Sequence, residues 1–261
     1  MKLNTKTIKK MAAEGERLDG REMDEYREIK IEPDYIPTTA QGSARVKIGD
    51  TQVIVGISFG AESPYSDRPA SGTIVTNAEL APMADREYES GPPQEPGVEL
   101  ARVVDRGIRE SEAIDLEALC IEEGEKVYTV FIDIHVLNND GNLLDAAALG
   151  AITALKTGYV PVYDEEEDEL VHDEKEIDIP LTKFPVTATG RKIGDQILWD
   201  TTSEEEEALG ARLTVTLTEE GNVVAMQKGG ESPLTTEEIM EIIEDAKTQT
   251  ENFRQIVSAG E

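Results

Sequence analysis

The order of segments along the chain predicts an α+β fold made of two β-then-α halves packed as two layers. Three observations carry that prediction. Residues 127–155, VYTVFIDIHVLNNDGNLLDAAALGAITAL, read as a strand of period two that Asn138-Asn139-Asp140-Gly141 stops, followed at once by an Ala-rich helix. The C-terminal part repeats that logic, with alternating segments ahead of a long helix. Between them lies an acidic run, residues 164–169, whose simplest reading is a solvated loop at the boundary.

Taken in order, residues 5–15 predict a short amphipathic helix with Ile8, Met11 and Ala12 on one side. A strand is expected at 26–31. A hairpin follows over 42–60, where Ala44, Val46 and Ile48 alternate before a Gly49-Asp50 turn. Residues 73–80 predict a further strand. Pro92, Pro93 and Pro96 punctuate the chain ahead of a helix over 98–113. Beyond the Ala-rich helix, strands are expected at 159–163, 182–189 and 196–200, and a hairpin over 212–227. Thr235-Thr236-Glu237-Glu238 resembles a capping box opening the last helix, whose apolar stripe is Ile239, Ile242, Ile243, Ala246 and Phe253. The expected organisation is therefore 1–24, an N-terminal helix and the RLDGR segment; 25–165, the first half; 166–180, an acidic connector; and 181–261, the second half with its helix.

Hydrophobic residues make up 38% of the chain with no apolar run of membrane length, which excludes a helical membrane protein. The N-terminal segment carries basic residues but no apolar stretch of signal type, so a cytoplasmic location is expected. The single Cys120 reads as a small buried hydrophobe. The net charge of −30 repels nucleic acid at long range, so any RNA site must be a local cluster of cations.

A strand feeding a helix through a Gly turn is a natural anion site. Here the turn offers Leu143 and Leu144 where a phosphate wants hydroxyls or Arg, and Asp145 adds a carboxylate that repels an incoming anion and satisfies the helix dipole internally. Arg102, Arg106 and Arg109, at i, i+4 and i+7, form one stripe of a helix. Salt bridges to Glu99, Asp105 and Glu110 are the structural alternative to an external anion, each worth only about a few tenths of a kcal/mol. Residues 204–207 are four glutamates that could hold Mg²⁺, although a solvated charge run is the commoner outcome. His135, mid-strand on the face of Phe131 and Asp133, reads as a satisfied core or interface residue. His172 lies in an acidic stretch without a second histidine, and neither is assigned a role.

Arg17-Leu18-Asp19-Gly20-Arg21, GSARVKIGDTQV at 42–53, ELARVVDR at 99–106 and the strand–turn–helix at 127–155 together resemble the RNase PH family, and within it the non-catalytic RNase PH-like subunit of the archaeal exosome. The likeness runs from about Arg17 to the final helix. It implies a duplicated βαβ-type fold, like that of ribosomal protein S5 domain 2, in which active relatives use inorganic phosphate to attack the 3′-terminal linkage of RNA. At the positions matching the family's phosphate-binding residues this chain has Pro96 and Leu143-Leu144-Asp145. At the matching acidic positions it has Glu206 and Arg212, and a guanidinium neither binds a cation nor gives up a proton near neutral pH. The resemblance thus implies no catalysis, metal or cofactor in this chain. It implies single-stranded RNA contact through Arg102 and Arg106, with Arg109 as a third candidate. It also implies a catalytic paralogue as partner, three heterodimers in a hexameric ring, and S1- or KH-domain cap proteins. The alternatives are an active phosphate-dependent 3′→5′ exoribonuclease and a metal-dependent RNA hydrolase using residues 204–207.

Overall fold

The computed structural model describes residues 5–259; the first four residues of the segment read for a leader, and the last two of the C-terminal half, lie outside the described residues. Helix α1 (Thr5–Ala13) precedes a sheet of β1 (Ile29–Pro33), β2 (Gly42–Ile48), β3 (Thr51–Glu62) and β4 (Thr73–Leu80). Helix α2 (Glu95–Glu110), β5 (Cys120–Glu122), β6 (Lys126–Asn138) and α3 (Leu143–Thr157) complete the first half. The sheet order is β1-β2-β3-β6-β4, with β5 on β6; β4 alone runs parallel to its neighbour. Alternation does the sorting. Val53, Val55, Ile57 and Phe59 of β3, with Val130, Ile132, Ile134 and Val136 of β6, point into the core, while their neighbours point out. Helix α3 lies on that inner face so closely that a Cβ on Gly150 would come within 2.8 Å of Val55.

The chain then forms a two-stranded ribbon, β7 (Tyr159–Asp164) with β8 (Glu169–Asp178), before the second half. That half comprises β9 (Val186–Ile193), β10 (Gln196–Trp199), the short α4 (Ser203–Glu206), β11 (Ala211–Leu217), β12 (Val223–Gly229) and α5 (Thr236–Ala259). Its four antiparallel strands run β10-β9-β11-β12. One face carries threonines: Thr187 bonds Thr216 at 2.9 Å and Thr189 bonds Thr214 at 3.1 Å, and Gly107 of α2 packs against Thr216. The opposite face receives α5, whose Ile242 fills the space left by Gly190. Each half is therefore a sheet with helices on it, and the halves stack so that α2 and α3 lie between the two sheets. A continuous apolar core joins both, from Ala44 through Leu155 and Val215 to Val257. Each fully buried Ile, Leu or Val contributes about 1.5–3 kcal/mol to it.

Several expectations are corrected. The acidic run forms the exposed turn expected of it, residues 165–168 joining β7 to β8, and beyond that turn residues 169–178, His172 among them, pair with β7 as a strand whose charged side chains face solvent around Leu170, Val171 and Ile177. Helix α2 begins at Glu95 rather than 98, because Pro96 fits the first turn, where a missing N–H costs nothing. Strand β9 starts at Val186 and β1 at Ile29, later than their alternating segments suggest. Cys120 is half-buried on β5, the core position being taken by Leu119. His135 is no core residue. It is exposed on the outer face of β6, 3.2 Å from the Glu79 carboxylate.

Candidate functional site: a filled anion cleft and an arginine stripe

The turn ahead of α3 is forced by two consecutive left-handed residues, Gly141 at φ 79° and Asn142 at φ 59°. A Cβ on Gly141 would lie 2.4 Å from the Thr201 carbonyl, so glycine is needed for space as well as for conformation. This close approach brings the β10–α4 segment against the start of α3. Pro96, Leu143, Leu144, Glu206 and Arg212 all line one cleft of about 170 Å³ there, with Tyr88 on its wall. Burial pushes the Tyr88 phenol up to about 12 and keeps it neutral.

The Glu206 carboxylate holds the centre of this arrangement. Its Oε1 accepts the Asn142 N–H at 2.9 Å and the Thr201 hydroxyl at 3.2 Å, and Arg191 Nε stands 3.2 Å away. Arg191, on β9, is itself buried, donating to Asn142 Oδ1 at 2.8 Å and to the Thr189 carbonyl at 3.0 Å. Arg212 pairs with Glu99 of α2. Asp145 does not act as expected. It faces inward, accepting from Tyr26 Oη at 2.8 Å and Thr189 Oγ1 at 2.7 Å, and ties α3 to β9 instead of meeting an incoming anion. Burial pushes its carboxyl above the usual range, with Arg191 and the two hydroxyls opposing that rise. The carboxylate that meets the turn amide is Glu206, from the other half.

Beneath the cleft lies a lattice of arginines and carboxylates that sequence reasoning missed. Arg17 clamps Glu205 with two hydrogen bonds, 3.0 and 2.7 Å, and caps the Trp199 and Asp200 carbonyls. Asp200, fully buried with φ at 47°, accepts from Arg21, Asn142 and, three times, Arg27. Burial works to raise its carboxyl, but the Arg27 hydrogen bonds prevail and hold it below the ordinary range. The expected solvated run at 204–207 is thereby corrected: Glu204 and Glu207 are exposed, whereas Glu205 and Glu206 are engaged by guanidiniums and cannot serve a divalent cation as a free pair. The available signal was the RLDGR segment, whose two arginines bracket a turn.

On α2, Arg102 and Arg106 are exposed and make no ion pair or hydrogen bond with any described residue. Arg109 is different: it bonds Asp105 at 2.9 and 2.7 Å and the Ile74 carbonyl at 2.9 Å. Glu99, the expected partner of Arg102, is taken by Arg212.

Two family models cover this chain: the 3′ exoribonuclease family's domain 1 matches residues 25–161 and its domain 2 matches residues 183–249. The chain belongs to the RNase PH family of 3′ exoribonucleases. Among its relatives, the exosome complex component Rrp42 of Methanocella arvoryzae is 48% identical over 248 residues, covering 95% of this chain and 93% of that one. Rrp42 of Archaeoglobus fulgidus is 47% identical, with 93% of each chain covered. A chain of the Archaeoglobus fulgidus exosome solved with RNA bound to the active site superposes with a TM-score of 0.89 at 45% identity, covering 96% of both chains. A chain of an archaeal exosome core gives 0.86 at 42% identity, over 97% of this chain and 96% of that one.

Proposed function

We propose that this chain is the Rrp42-type subunit of an archaeal exosome and is itself non-catalytic. It pairs with a catalytic paralogue as three heterodimers in a ring, shapes that partner's active site, and presents Arg102 and Arg106 to single-stranded RNA during 3′→5′ phosphorolysis in the cytoplasm. S1- or KH-domain cap proteins dock on the assembled ring. The observation that carries this reading is the filled cleft. The amide, hydroxyl and guanidinium that face an anion at the start of α3 already hold the Glu206 carboxylate, and Leu143 and Leu144 supply apolar surface where a phosphate needs donors. Two exposed, unpaired cations on one helix face give RNA a local attraction that the chain's net charge of −30 denies elsewhere. The purified chain alone, incubated with single-stranded RNA and inorganic phosphate, is expected to leave the RNA intact and to add no nucleotides from diphosphates. Adding the catalytic paralogue is expected to restore both activities. Phosphate-dependent shortening by the isolated chain would sink the assignment.

A further inference from the structure

Tyr65, on the loop between β3 and β4, leaves its ring 66% exposed. Two other partly open tyrosines are covered, Tyr35 by Arg45 at 4.8 Å and Tyr163 by Lys126 at 5.0 Å, whereas Tyr65 has no ring or cation–π partner among the described residues. The turn that presents it is closed by the Arg68 N–H on the Tyr65 carbonyl at 2.9 Å, so ring and guanidinium leave the chain three residues apart on one turn. Arg68 is exposed, and its side chain makes no ion pair or hydrogen bond with any described residue. With Arg109 it lines a cavity of about 910 Å³. Arg109 ends the α2 stripe, about 10 Å along the helix from Arg102 at roughly 1.5 Å per residue. Its guanidinium titrates above its ordinary value, chiefly through the Asp105 hydrogen bonds and in smaller part through the Tyr65 phenol, so the ring lies within electrostatic reach of the stripe.

The same cavity holds Glu110, Glu112, Asp115 and Glu117. Lys183 stands 3.5 Å from Glu112, and Asp115 accepts the Glu117 and Ala118 N–H groups, but the cavity still repels a phosphate from its interior. An uncharged base meets no such repulsion. An exposed aromatic face beside arginines is the chemistry that holds single-stranded nucleic acid, since every base offers a π-face. We infer that Tyr65 is a stacking platform for one base of single-stranded RNA, with Arg68 neutralising the adjoining phosphate, and that this turn extends the Arg102–Arg106 track past Arg109. The inference rests on the reading that the α2 stripe faces RNA. It adds a contact of a different kind, because stacking contributes affinity without releasing counterions.

The test is made on the complex assembled with the catalytic paralogue, by fluorescence anisotropy of a labelled single-stranded RNA across a salt series. Tyr65→Ala is expected to weaken binding about five-fold or more with the salt slope unchanged, and Arg68→Gln to lower that slope by about 0.7. Tyr65→Phe keeps the ring face and is expected to bind as wild type does. A second reading uses the unaltered complex: single-stranded RNA carrying 5-bromouridine, on irradiation, is expected to crosslink to Tyr65, located by mass spectrometry of the digested chain. Wild-type affinity in Tyr65→Ala, or an equal loss in Tyr65→Phe, overturns the inference. So does a folded Tyr65→Ala chain that no longer assembles, which would make this turn a contact with the paralogue. Where the alanine variant does not fold, the crosslink decides alone, and its absence overturns the inference. The double change Arg102→Glu, Arg106→Glu separates the two readings. If it weakens RNA binding and Tyr65→Ala does not, the platform falls and the stripe stands; if neither does, the reading beneath the inference falls as well.

Discussion

Arg102 and Arg106 differ from Arg109 only in what surrounds them, and that difference is testable. If the first two touch phosphates, the double change Arg102→Glu, Arg106→Glu in the assembled complex weakens RNA binding and lowers the salt dependence of log K by about 0.7 per lost contact on single strands. Arg109, already shared between Asp105 and the Ile74 carbonyl, is expected to contribute less when changed. Filter binding across a salt series reads both, and wild-type affinity and slope in the double variant would reduce these arginines to surface charge. Asp200 carries a second residue-scale prediction. Its carboxyl titrates below the ordinary value in the fold, so the unfolded chain takes up the proton first as pH falls. Its contribution is therefore complete above the unfolded value of about 3.9 and is lost as pH drops through the folded one. Asp200→Asn is expected to flatten that acid limb. It should also cost about 3–5 kcal/mol near neutrality, because Arg27 is left without its main partner. Urea unfolding at stepped pH measures both effects, and an unchanged acid limb would remove Asp200 from the account.

At the scale of elements, α5 shows how a local signal becomes a packed helix. Thr235 Oγ1 accepts the Glu238 N–H at 3.2 Å while Glu238 Oε2 accepts the Thr235 N–H at 2.8 Å, a reciprocal box. The stripe it launches buries Ile242, Ala246, Phe253 and Val257 against the second sheet and meets Tyr26 edge-on, rings 4.9 Å apart. Thr235→Ala is expected to cost about 1 kcal/mol in urea unfolding, with the Glu238 amide left to water. A change under about 0.3 kcal/mol would mean that packing alone sets the helix start. The box was legible because both partners lie three residues apart in one segment. The β8 strand was not, because its acidic side chains carry no apolar alternation, and only pairing with β7 makes the segment extended.

Across the whole molecule, the N-terminal segment is a clasp. Helix α1 packs Ile8 and Ala12 on Ile193, Leu198 and Ala208 of the second half, and the arginines that follow bind Asp200 and Glu205 beside the start of α3. The two halves are thereby joined by salt bridges as well as by core. A chain of net charge −30 disfavours self-association, which favours the proposed pairing with a less acidic paralogue. Mixed with that paralogue, the chain is expected to shift into one assembly near the mass of three heterodimers by light scattering or native mass spectrometry. A chain that remains a monomer beside it would remove the ring from the proposal.

The sequence alone determined the class of fold, the position of most strands and helices, and the apolar Leu143 and Leu144 at the turn before α3, since period, turn residues and residue identity are local properties. It also singled out the arginine stripe, where spacing of three and four residues is enough to define a face. Only the tertiary structure decided which of those arginines are free, because Glu99 had two candidate cations and chose the one from β11. Only it buried Glu205 and engaged the half-buried Glu206 with a guanidinium. Their partners, Arg17 and Arg191, lie 188 and 15 positions away, and those pairings are fixed by how the N-terminal segment docks on the second half and how β9 packs beside α4, which sequence periodicity does not reveal.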